Sequence, residues 1–81
     1  MTTAEQAHSD NLVKMANQIG QFFASMPDRK EALEGIATHI KKFWDPRMRH
    51  ALLAKADEGA DAHGISPIVF DAVQAYRAML G

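Results

Sequence analysis

Apolar residues recur along this chain in steps of three and four and nowhere alternate over the length of a strand. That spacing restricts the chain to amphipathic helices packed side by side. Leu12, Met15, Ala16, Ile19, Phe22, Phe23 and Met26 form one stripe, and Leu33, Ile36, Ala37, Ile40 and Phe43 a second. Met48, Leu52, Leu53 and Ala56 form a third, and Ile68, Val69, Ala72, Val73, Tyr76, Met79 and Leu80 a fourth. Helix-breaking and helix-starting residues separate them. Pro27 ends the first helix, which begins at Ser9-Asp10, and Asp28 with Glu31 three residues later resembles a capping box for the second. Asp45-Pro46 and Ser66-Pro67 each pair an N-cap with proline at the first helical position, where a missing N–H leaves nothing unsatisfied. Gly59 to Gly64 reads as a loop. Gly20 and Gly35 interrupt their stripes and suggest close helix crossings, because a mid-helix glycine otherwise only weakens the helix, by about 1 kcal/mol relative to alanine. The expectation is an all-α single domain: a small bundle of about four short helices over residues 9–81, behind a flexible polar tail at residues 1–8.

At 81 residues the domain buries only roughly 60% of its unfolded surface, so it should be marginal alone or lean on partners. The absence of cysteine excludes disulfides, thiolate zinc sites, Fe–S ligation and cysteine nucleophiles, and fits a reducing cytoplasm. A net charge of −1 gives no overall field toward nucleic acid or anionic membrane. Met1 to Gln6 lack the basic and apolar regions of a signal peptide, and no apolar run reaches the roughly 20 residues that span a bilayer. The reading is a cytoplasmic domain without membrane contact.

Chemistry-bearing residues concentrate between His39 and His50, which hold the only Trp and four of the nine Lys and Arg residues. Lys41, Lys42, Arg47 and Arg49 flank Trp44 at the junction of the second and third helices. Trp and Arg are enriched at interface hot spots, so this corner is a candidate dock for an acidic partner, with the indole as apolar anchor. The competing account packs Trp44 in the core and uses Lys41 and Lys42 to complement the helix dipole. Phe22 and Phe23 point about 100° apart on a helix, so one ring is left over from the core; Phe23 is placed with the corner as a partner-binding residue. The five Met residues read as core fill rather than an adaptable surface.

Catalytic and metal readings fail on spacing. His39, His50 and Asp45 match no helical ligand pair, Ser9 and Ser66 read as caps, and no nucleophile elbow or glycine-rich phosphate loop exists. The chain is therefore read as having no catalytic, cofactor-binding or metal residues. Two other readings stand beside a protein-docking role. One is a helix-turn-helix module that presents Arg47, Arg49 and His50 to DNA, although its third helix runs on into alanines and acids. The other is a helical protein that pairs with its own copy.

Four segments carry a family resemblance: Met15-Ala16-Asn17-Gln18-Ile19-Gly20-Gln21-Phe22-Phe23, Pro27-Asp28, the run from His39 through Phe43-Trp44-Asp45-Pro46-Arg47-Met48-Arg49, and Gly64-Ile65-Ser66-Pro67-Ile68-Val69. Together they resemble the delta subunit of soluble NAD-dependent molybdenum formate dehydrogenase over roughly residues 12–76. The resemblance implies a small non-catalytic subunit or assembly and stability factor, with formate dehydrogenase subunits as partners. It also implies that bis-molybdopterin guanine dinucleotide (bis-MGD) molybdenum, Fe–S clusters, FMN and NAD sit on other subunits. No residue role is carried over from the family to this chain.

Overall fold

In the computed structural model the backbone is described for residues 4–81 and side-chain burial for residues 11–81. Six helices and no strand occupy the described residues: α1 (Ala4–Phe23), α2 (Arg29–Phe43), α3 (Pro46–Asp57), α4 (Ala60–His63), α5 (Pro67–Ala75) and α6 (Arg77–Leu80). The all-α bundle is as expected, with α1, α2, α3 and α5 as its long members. α1 runs back to Ala4 through residues expected in the tail, where Ala, Glu and Gln favour helix; residues 1–3 lie outside the described residues.

α2 and α3 start where their sequence chemistry requires. Asp28 Oδ1 accepts from Lys30 N and Glu31 N at 2.9 and 3.2 Å, and Asp45 Oδ1 accepts from Met48 N at 2.9 Å. Both satisfy N–H groups that the first helical turn leaves orphaned. Ser66 behaves differently: its hydroxyl makes no cap, and its backbone N–H instead donates to Asn17 Oδ1 at 2.9 Å. Asn17 Nδ2 donates in turn to the Gly64 carbonyl at 2.9 Å. One amide on α1 thus pins both strands of the loop that leads into α5.

Three boundaries besides the start of α1 differ from the sequence expectation. α1 ends at Phe23, not Met26: Ala24 N–H makes the last helical bond, to Gly20 O, and Met26 N–H then bonds Phe23 O in a tight turn directly before Pro27. The loop after Asp57 contains the single turn α4, closed at Gly64 with φ +69°, a left-handed geometry that glycine adopts without strain. The fourth predicted helix breaks at Tyr76, where φ −118° and ψ 30° leave the helical region and separate α5 from α6.

The core unites α1, α2, α3, α5 and α6. Leu12, Ile36, Ile40, Leu52, Val69, Val73 and Leu80 are fully enclosed, with Ala16, Ala37, Ala56 and Ala72 between them. α2 lies at the centre and packs mainly on α5 and α1. Each enclosed Leu, Ile or Val contributes roughly 1.5–3 kcal/mol. The surface pairs Arg29–Asp71 and Arg77–Asp57, both at 2.5 Å, add about 0.2–1 kcal/mol each at most. Apolar burial therefore decides the fold.

Candidate partner-binding site

The first two apolar stripes each leave a large ring outside. Phe22 is 74% exposed and Phe43 is 72% exposed. The exposure of Phe43 corrects the expected core face of α2, whereas Phe22 is the leftover ring expected of two adjacent phenylalanines, and the cause of both is helical geometry. α2 already buries Ala32, Ile36, Ala37 and Ile40, and Phe43, three residues past Ile40, falls at the edge of that face in the last turn. On α1, Phe23 turns inward toward α2, so Phe22, about 100° away, turns out.

The two exposed rings border an open groove of about 670 Å³ among α1, α2 and α3. Met15, Ile19 and Phe23 line it from α1, His39 and Phe43 from α2, Met48 from α3, and Trp44 from the corner. The walls are braced by aromatic contacts. Phe22 and Phe23 meet edge-to-face with centroids 5.1 Å apart, and His39 leans on Phe43 at 4.7 Å. Phe23 fits because residue 35 is glycine: a Cβ there would stand 2.5 Å from the ring. The close approach expected at Gly35 is therefore a ring on a helix backbone. At Gly20 two helices meet, since a Cβ would lie 2.5 Å from Val69 Cγ2 and 3.1 Å from Ile68 Cγ2 of α5.

The residues singled out in the sequence fall into two groups. Trp44 is 5% exposed and belongs to the core cluster, so it supports the groove from beneath and does not protrude. Arg49 is half-buried and turned inward, with Nη1 donating to Trp44 O at 3.0 Å and Nε to Leu80 O at 3.3 Å. It ties the ends of α2 and α6 together, a use the sequence did not reveal because the Leu80 carbonyl lies 31 residues away. His50 likewise pairs with Gly81 O at 2.9 Å. Two of the three side chains expected to face DNA are thus held by the protein's own backbone. Lys41, Lys42 and Arg47 are exposed, and no ion pair among the described residues includes them. Phe23 lines the groove half-buried, while its neighbour Phe22 is the more accessible ring.

Sequence reasoning missed His39, and it read Met15 and Met48 only as core fill. Both Met residues are half-buried, touching the core on one side and the groove on the other. A spacing pattern shows that a residue is near the core edge, and it does not show which edge neighbouring helices leave uncovered. A second hollow of about 570 Å³ lies beside Lys14, Asn17, Lys55 and His63. There Asn17 is spent on the loop and His63 on Glu58, at 2.5 Å. Among the described residues no cluster of three or more His, Cys, Asp or Glu forms a metal-holding group, and no helix is long and apolar enough to cross a membrane.

The fold and the groove define a class: a small all-α domain whose most distinctive surface is aromatic and open, with exposed cations next in sequence to the residues that line it. Residues 11–73 match the family described as "NADH-dependant formate dehydrogenase delta subunit FdsD", and the chain belongs to that family. No curated protein and no solved structure matches it.

Proposed function

We propose that this chain is a non-catalytic accessory subunit of a cytoplasmic formate dehydrogenase complex and works by protein–protein contact, supporting assembly or stability of the enzyme. Molybdenum, Fe–S, flavin and NAD chemistry then belongs to the other subunits. The observation that carries the proposal is the pair of exposed rings, Phe22 and Phe43, bordering a groove in a protein of this family. Leaving two phenylalanines in water forgoes roughly 3–6 kcal/mol of burial. That is comparable to the whole stability of about 4–12 kcal/mol typical of a domain this size. A surface that forgoes so much is used when it is covered.

The contact region in this reading is the 41–49 corner with the adjoining groove. Lys41, Lys42 and Arg47 supply charge, Phe23 supplies apolar area, and Trp44 and Arg49 hold the corner rigid. Co-expression with the formate dehydrogenase subunits tests it. The chain should co-purify with them, and deleting it should lower the yield of assembled, active enzyme. An enzyme that assembles to full yield and activity without this chain would refute the accessory role.

A further inference from the structure

Resting on the accessory-subunit reading, we infer that the groove receives an acidic amphipathic helix from a formate dehydrogenase subunit. Three features select that occupant. The first is the scarcity of polar side-chain groups in the lining, where the Gln18 amide, the His39 imidazole and the Trp44 indole N–H accompany apolar and aromatic side chains. An extended segment laid there would lose water from its backbone N–H and C=O groups and find few partners. A helix satisfies its own backbone and presents only side chains, the helix-in-groove mode of recognition.

The second feature is the shape and softness of the walls. Phe22 on α1 and Phe43 on α2 border one groove, with Met15 and Met48 at its sides. Thioether side chains repack around an incoming apolar ridge more readily than branched ones. Apolar residues spaced three and four apart on the guest would seat between the two rings.

The third is charge. From Asn11 to Phe23, α1 carries Lys14 and no carboxylate. From His39 to His50 the only carboxylate is Asp45, which is engaged as the cap of α3, whereas Lys41, Lys42 and Arg47 are exposed. Glu31 and Glu34 border a neighbouring hollow together with Phe23, Met26 and Lys42, and stand about two to three turns of α2 before Lys41 and Lys42. The guest's carboxylates therefore gather at the end nearest the α2–α3 corner. A second copy of this chain fits less well, because two-fold pairing over the corner sets the same cations against each other.

The test uses purified formate dehydrogenase complex prepared without this chain, and measures binding of wild type, Phe22→Ser/Phe43→Ser, and Lys41→Glu/Lys42→Glu/Arg47→Glu. Both variants alter exposed side chains, so their circular dichroism and melting curves should match wild type. The ring variant is expected to bind at least about tenfold more weakly. The charge-reversed variant should associate more slowly and lose most of the salt dependence that wild type shows. Amide exchange on the complex should gain protection in one acidic helical segment. Wild-type binding by the ring variant overturns the inference, as does a footprint on an extended or basic segment. Sedimentation showing a dimer of the isolated chain that the ring variant dissolves overturns it in favour of self-pairing. If wild type itself does not bind the complex, the accessory-subunit reading fails as well, which separates that failure from the others.

Discussion

Gly20 and Gly35 look alike in the sequence, each a gap in an apolar stripe, but their surroundings predict different outcomes for the same substitution. At Gly20 the added methyl meets Val69 and Ile68 on α5, and Val69 is fully buried with nowhere to retreat. Overpacking of this kind costs about 1–3 kcal/mol, and the roughly 1 kcal/mol gained in helix propensity offsets only part of it. Gly20→Ala should lower the melting temperature. At Gly35 the obstacle is the ring of Phe23, which is half-buried and borders the open groove, so it has more room to yield than Val69. Gly35→Ala should therefore melt closer to wild type and show its effect in binding. Trp44→Ala belongs with the core substitutions, since the indole is buried, and should cost about 3–5 kcal/mol. A loss of association in that variant would report unfolding as readily as a lost contact, which is why Phe22 and Phe43 are the informative positions.

Among the elements, what the sequence revealed and what it concealed divide along local and distant interactions. Asp28, Asp45 and the two helix-starting prolines act within one turn, and the starts of α2, α3 and α5 were legible for that reason. Asp45→Ala should cost about 1 kcal/mol, read as a lower urea midpoint, through loss of the bond to Met48 N–H. The pinning role of Asn17 depends on residues tens of positions away, and no spacing rule encodes it; the break at Tyr76 interrupts an apolar stripe that itself runs on without a breaker. Asn17→Ala leaves Ser66 N–H and Gly64 C=O without their partner. It should cost about 1–3 kcal/mol and raise amide exchange selectively in residues 64–66. The candidate site was legible in part for the same reason. Its cations stand in one run of sequence, whereas the groove exists only where α1, α2 and α3 meet.

For the molecule as a whole, one core shared by five helices implies one transition. Thermal and urea unfolding should be two-state, with coincident curves from different probes; a separate early phase for α5 and α6 would contradict it. The family is that of a formate dehydrogenase delta subunit, and the proposed function would use the α2–α3 corner and the open apolar face of this fold. The burial of Trp44 has an optical consequence. It is the only tryptophan in the chain, and it sits under the groove beside Met48 and Phe43. Its emission should already lie toward the blue in the isolated protein. A guest arriving above it would change the polarity and quenching that the indole senses without displacing it. The native protein thus carries a built-in fluorophore, which should report docking to any formate dehydrogenase subunit prepared with its own tryptophans replaced.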